Sequence, residues 1–70
     1  MSKKILITGG NGQLGKSLSR YLCNKFDIIS TSREKLTLEP NYNTDILDIT
    51  NLDNIHNIIN AYHPDIIINC

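Results

Sequence analysis

Apolar positions in this chain follow two rhythms. Ile5-Leu6-Ile7, Ile28-Ile29 and Ile66-Ile67-Ile68 are unbroken runs, and between them lie stretches in which apolar residues recur every three or four positions. Unbroken runs of this length, rich in β-branched residues, predict strands covered on both faces. The three-to-four period predicts amphipathic helices. In chain order, Ile5 to Thr8 reads as a first strand. Gln13 to Phe26 reads as a helix with Leu14, Leu18, Tyr21 and Leu22 on its buried stripe and Lys16, Ser19, Arg20 and Lys25 mainly off it. Asp27 to Ser32 is a second strand. Arg33 to Thr44 holds Pro40, Asn41 and Asn43, has no helical period and predicts a loop. Asp45 to Asp48 is a short third strand. Thr50 or Asn51 can cap the next helix, with Asp53 in its first turn favouring the dipole. That helix runs to about Tyr62, with Leu52, Ile55, Ile58, Ile59 and Tyr62 on one face, and ends at His63-Pro64, because proline disfavours helical geometry at the preceding residue. Asp65 to Asn69 is the fourth strand.

Strand, crossover helix and strand make a parallel unit whose hand is almost always right. The series predicts an α/β fold: a four-stranded parallel sheet in the order 3-2-1-4 with the two helices on opposite faces. Seventy residues allow one small domain at most, and a chain of that size buries only about 60% of its unfolded surface. Closing on an apolar strand, the sequence is expected to be the first half of a larger domain, since a natural domain rarely ends by exposing such an edge.

Between the first strand and the first helix lies Thr8-Gly9-Gly10-Asn11-Gly12-Gln13-Leu14-Gly15, a Gly-x-x-Gly-x-x-Gly spacing. Each glycine of the triplet has a physical role there. Gly9 allows a sharp turn off the strand. Gly12, lacking a Cβ, lets backbone N–H groups approach phosphate oxygens. Gly15 lets the helix pack close to the strand. The unpaired N–H groups and the positive dipole end of the helix then face an anion, the arrangement that holds a dinucleotide's pyrophosphate. A lone glycine triplet is weak evidence; its place between a buried strand and an amphipathic helix gives it weight.

Charge changes this picture little. The net charge is zero, yet residues 1–35 carry all seven basic residues and two acids, whereas residues 36–70 carry five acids and no base. The basic half contains the glycine loop, so attraction of phosphate and simple balance by a longer chain both account for the asymmetry. No basic stripe interleaved with aromatics is present, so nucleic acid is not an expected partner. The two cysteines, Cys23 and Cys70, lack a framework spacing and fit a reduced, cytoplasmic setting. The apolar run near the N-terminus is too short for a signal peptide or a membrane span, so no membrane partner is expected.

The series Gly9-Gly10-Asn11-Gly12-Gln13-Leu14-Gly15, then Leu47-Asp48-Ile49-Thr50, then Pro64-Asp65-Ile66-Ile67-Ile68-Asn69-Cys70 resembles the N-terminal half of the extended short-chain dehydrogenase/reductases. Within them it is most similar to the dTDP-4-dehydrorhamnose reductase family, and the similarity covers essentially the whole chain. The resemblance implies a Rossmann-like fold and a nicotinamide cofactor. Gly12, Gln13 and Leu14 would bring backbone groups to the pyrophosphate, with Gly9 and Gly15 shaping the loop. Asp48 would accept a hydrogen bond from the adenine amino group and Ile49 would line the adenine site; a turn or cap aspartate is the alternative for Asp48. After the second strand an acid would bind the ribose of NAD and an arginine the 2′-phosphate of NADP. Thr31-Ser32-Arg33, with the first acid only at Glu34, favours NADP with Ser32 and Arg33 as its contacts; NAD stays open, with Glu34 in that role.

The resemblance also implies a nucleotide-sugar substrate, leaves open a homodimer through the part beyond residue 70, and places the superfamily's catalytic Tyr-x-x-x-Lys pair and Ser or Thr well beyond that residue. No catalytic residue is therefore expected here, and the 70 residues alone are expected to be inactive. A sugar-nucleotide epimerase or dehydratase and a non-catalytic NADP-binding regulatory subunit are the alternatives. Tyr21-Leu22-Cys23-Asn24-Lys25 matches the catalytic spacing, but it lies on the first helix, with Tyr21 expected to face the core. His56 and His63, seven residues apart with no further ligand at suitable spacing, make a poor metal site. Asp45 and Asp48, three apart in one strand, would point to opposite faces and not act as a pair.

Overall fold

The computed structural model describes residues 3–34 and 42–70. The elements in order are β1 (Lys4–Thr8), α1 (Gln13–Leu22), β2 (Asp27–Ser32), β3 (Asn43–Ile46), α2 (Leu52–Tyr62) and β4 (Ile66–Asn69). The strands form one sheet in the order β3-β2-β1-β4 with every pair parallel, as the crossover pattern predicts. The loop expected over Arg33–Thr44 falls largely on residues 35–41, outside the described residues.

The sheet separates two apolar layers. Leu6, Ile29, Leu47 and Ile58 form one core, with Ile55 and Tyr62 of α2 packed against it. Ile5, Ile7 and Ile28 form the other, covered by Leu18, Leu22, Cys23 and Phe26 on the α1 side. The helices thus lie on opposite faces because neighbouring strand residues point to opposite sides.

The face that α1 turns to the core matches the predicted stripe at Leu18 and Leu22 but not at Leu14 and Tyr21. Leu14 is 69% exposed and Tyr21 65% exposed, whereas Gly15 and Ser19 are buried. Backbone proximity decides this: a Cβ at Gly15 would run into the Gly9 carbonyl oxygen and lie 2.8 Å from the Gly10 Cα. The helix approaches the glycine loop through its smallest side chains, which rotates the larger Leu14 and Tyr21 outward. Lys25 Nζ sits 5.2 Å from the centre of the exposed Tyr21 ring. The helix also stops four residues short of Phe26. Lys25 N and Phe26 N both donate to the Leu22 carbonyl, turning the chain so that Asp27 N can donate to Lys3 O at 2.9 Å and start β2.

β3 begins and ends two residues earlier than predicted. Its register, Ile29 with Asn43 through Ser32 with Ile46, is set by pairing with β2 rather than by hydrophobicity. Asp48 therefore lies beyond the strand, and the expected opposition of Asp45 and Asp48 across one strand does not apply. α2 follows its prediction more closely. The Asn51 side chain accepts from Asn54 N at 3.1 Å as the N-cap, Asp53 is in the first turn, and His63 ends the helix in the left-handed region at φ 49°. Leu52, predicted for the buried face, is 65% exposed; α2 meets the core through Ile55, Ile58 and Tyr62. Asp65 precedes β4 and fastens to β1 twice: Lys4 N donates to Asp65 Oδ2 and Asp65 N donates to Lys4 O, each at 2.8 Å.

Candidate cofactor site

The C-terminal ends of all four strands open onto one side, where α1 begins. In open α/β sheets a crevice at that edge, where the strand order reverses, receives the ligand; here the reversal lies between β1 and β4. A cleft of about 510 Å³ lies at this edge, lined by Thr8 and Gly9 after β1, Ser32, Arg33 and Glu34 after β2, Leu47 and Ile49 after β3, and Asn69 and Cys70 after β4, with Asn11 from the glycine loop.

The glycine loop is built around three close approaches. Gly9 has φ +68°, a conformation that costs glycine little and other residues more. Gly10 N donates to Thr31 O at 2.7 Å, and a Cβ at Gly10 would collide with the Ser30 hydroxyl. Gly10 therefore docks the loop on β2, a role the triplet spacing does not reveal. Gly12 differs from both: a Cβ there would meet only Gly9 O at 3.5 Å, ordinary contact, and its φ is −77°. Nothing among the described residues requires a glycine at 12.

The start of α1 is bare. Gly12 is its N-cap, no side chain caps it, and no acid lies in its first turn, whereas α2 has both an Asn51 cap and Asp53. The first N–H groups of a helix need an outside partner, and here none comes from a side chain among the described residues. The uncapped turn, the open space at Gly12 and the adjoining cleft fit a pyrophosphate, the group implied by the glycine spacing.

Of the nine residues expected from sequence to meet a cofactor, Gly9, Ser32, Arg33 and Ile49 line the cleft. Gly12, Gln13 and Leu14 are exposed at the start of α1, and Gly15 is buried beneath it. The Ser32 hydroxyl, expected to donate to a 2′-phosphate, instead donates to the Glu34 carbonyl; Ser32 holds the turn that carries Arg33 and Glu34 to the cleft. Asp48 is not on the cleft wall. Its Oδ1 accepts from Thr50 Oγ1 at 2.6 Å and Thr50 N at 2.9 Å, while its own N–H donates to Asn54 Oδ1. The Thr50 hydroxyl and N–H, with a smaller contribution from Arg33, hold its carboxyl below the usual aspartate range. The turn role weighed for Asp48 is thus realised through one oxygen. Thr8, Asn11, Leu47, Asn69 and Cys70 were missed from sequence, although each follows or ends a strand or lies in the glycine loop. Tyr21, expected to face the core, is exposed; eight positions after Gln13, it lies about 12 Å along the axis from the start of α1 and does not line the cleft.

A family model described as the RmlD substrate binding domain matches residues 3–70. The chain belongs to this family. Relatives of this RmlD-family chain include dTDP-4-dehydrorhamnose reductase from Aggregatibacter actinomycetemcomitans, 34% identical over 68 residues, covering 94% of this chain and 19% of the relative. dTDP-glucose 4,6-dehydratase from Haemophilus influenzae is also 34% identical, over 73 residues, covering 87% of this chain and 22% of the relative. The chain therefore spans about a fifth of the curated relatives it matches. Among solved structures, a short chain dehydrogenase from Leptospira borgpetersenii serovar Hardjo-bovis with bound NAD+ superposes with TM-score 0.80 at 33% identity, covering all of this chain and 31% of that one. The Rossmann-like fold and the resemblance to the short-chain dehydrogenase/reductases are thereby established. Among the described residues no helix is long and apolar enough to cross a membrane.

Proposed function

We propose that residues 1–70 are the N-terminal, NADP(H)-binding portion of a sugar-nucleotide reductase whose catalytic and substrate-binding parts lie elsewhere in a longer protein. The observation that carries this reading is the bare start of α1 beside an open Gly12, at the strand-end cleft of a member of the RmlD family. Backbone N–H groups of the first turn hold the pyrophosphate, Ile49 and Leu47 offer an apolar wall to the adenine, and Arg33 meets the 2′-phosphate. Asp48 lies between the lining residues Leu47 and Ile49 rather than on the wall itself, and its second oxygen is the acceptor for an adenine amino group that reaches past them. When bound, the cofactor supplies a hydride, and the whole protein reduces the C4 ketone of a dTDP-4-keto-6-deoxyhexose such as dTDP-4-dehydrorhamnose. These residues bind and orient; none of them passes a proton to the substrate.

The equal identity to a dTDP-glucose 4,6-dehydratase favours one second reading, a dehydratase that reoxidises its cofactor within each cycle. The full-length protein separates the two. A reductase consumes one NADPH for each dTDP-4-dehydrorhamnose reduced; a dehydratase converts dTDP-glucose with no net consumption. Binding of NADPH without turnover of either sugar would reject both and leave a regulatory subunit.

A further inference from the structure

Of the nine asparagines in the chain, Asn11 alone is followed by glycine. An asparagine carboxamide is open to attack by the main-chain nitrogen of the next residue, and asparagine is thermolabile for that reason. A side chain on the next residue obstructs the approach; glycine has none. The space where a Gly12 Cβ would stand holds only Gly9 O, at 3.5 Å. Asn11 and Gly12 are both exposed, and Asn11 lines the strand-end cleft. Among the described residues its carboxamide makes no hydrogen bond, whereas the side-chain oxygens of Asn51, Asn54 and Asn69 each accept one. The nitrogens that follow Asn54, Asn57 and Asn60 lie within α2. Gly12 N precedes α1 and is held by a single turn bond, to Gly9 O at 3.1 Å.

We propose that Asn11 is a site of spontaneous covalent modification, in which loss of its side-chain ammonia puts a carboxylate at the bare start of α1. The step needs only hydroxide and water. When the turn bond opens, hydroxide takes the Gly12 N–H proton and the nitrogen attacks Asn11 Cγ. The new C–N bond closes a five-membered succinimide. The bond from Cγ to Nδ2 breaks, and Nδ2 leaves as ammonia with a proton from water, which returns the hydroxide. Water then opens the ring. Addition at Cγ gives aspartate; addition at the Asn11 main-chain carbonyl gives isoaspartate, with the chain continuing through Cβ and Cγ. Either product carries one new negative charge. At the start of a helix the dipole favours that charge, so the aspartate form stabilises the unliganded fold while repelling a second anion. The modification does not depend on the cofactor reading above, but its effect on binding rests on it. A dinucleotide seated on the first turn holds the turn shut and protects Asn11.

The test is ageing of the full-length protein in mildly alkaline buffer, with and without NADPH, or NADH if the protein prefers it. Peptide mass spectrometry locates amide-to-acid exchange and isoaspartate, and calorimetry follows affinity. Exchange should appear at Asn11 before any other asparagine and quicken with hydroxide concentration. Cofactor at one hundred times its dissociation constant should slow it at least about tenfold. Aged protein should lose affinity in step with exchange, while Asn11→Gln, whose longer side chain closes a six-membered ring less readily, should keep its own starting affinity within about twofold. Asn11→Asp should bind at least about tenfold more weakly than fresh wild type, with a melting temperature no lower. That split separates a misplaced charge from damage to the fold. Exchange at Asn11 no faster than at the other asparagines, equal ageing of Asn11→Gln, or full affinity in Asn11→Asp would each overturn the proposal. Exchange at Asn11 in a protein that binds neither cofactor would keep the modification and overturn the cofactor reading.

Discussion

Gly12 and Gly15 belong to one motif and do different work, so alanine at each gives a different readout. At Gly12 the chain tolerates a Cβ, with Gly9 O at 3.5 Å. Gly12→Ala should leave thermal stability unchanged and lower cofactor affinity at least tenfold, about 1.4 kcal/mol by calorimetry on the full-length protein. At Gly15 the added methyl meets the backbone of Gly9 and Gly10, which cannot move aside like a side chain. Gly15→Ala should cost about 1–3 kcal/mol of folding stability, visible in denaturant titration. Arg33 is exposed on the cleft wall beside Glu34. If it meets a 2′-phosphate, its charge-assisted bonds supply about 1.5–3 kcal/mol, roughly a ten- to hundredfold preference for NADPH. Arg33→Ala should then weaken NADPH and spare NADH in paired titrations. Equal weakening of both would reduce Arg33 to a general electrostatic contributor, and a wild type that prefers NADH would put Glu34 on the ribose.

Between elements, α2 is joined to the edge strand β3 by one polar contact: the Tyr62 hydroxyl donates to Asp45 Oδ2 at 2.6 Å. The bond to Asp45, then partial burial, then the Asp45 charge raise the Tyr62 pKa above its ordinary 10.0. The fold favours the neutral phenol, so this contribution is complete below that ordinary value and is lost as pH rises through the higher folded one. Tyr62→Phe should cost about 1 kcal/mol at neutral pH and flatten the alkaline limb of a stability–pH curve. The bond also shows what the sequence withheld. Tyr62 was readable as apolar period, and so were Ile55 and Ile58; its hydroxyl partner, on a strand seventeen residues earlier, was not. On α1 the period holds for Leu18 and Leu22, which pack on the core, and fails for Leu14 and Tyr21. Leu14 and Tyr21 carry the larger apolar surface, yet a helix that must touch the glycine loop turns its small residues, Gly15 and Ser19, inward. Hydropathy records the preference of a side chain for water and not how close two backbones must come.

At the scale of the whole molecule, strand order and helix placement were legible because continuous apolar runs and crossover handedness leave few alternatives. The site was legible as a motif and incomplete as a surface. Four strand tips build the cleft, and residues such as Thr8, Leu47 and Asn69 are brought together only by the sheet. The bare start of α1 has a consequence for the folding equilibrium itself. A ligand that binds only the folded chain adds to its stability by mass action, about 2.7 kcal/mol at one hundred times its dissociation constant. On the proposed reading a dinucleotide would do for α1 what the Asn51 side chain does for α2, and the melting temperature would become a gauge of the cofactor pool. Thermal melts of the full-length protein should rise steadily with the logarithm of NADPH concentration. In Gly12→Ala the same rise should begin at least about tenfold higher in concentration, from an unchanged starting temperature.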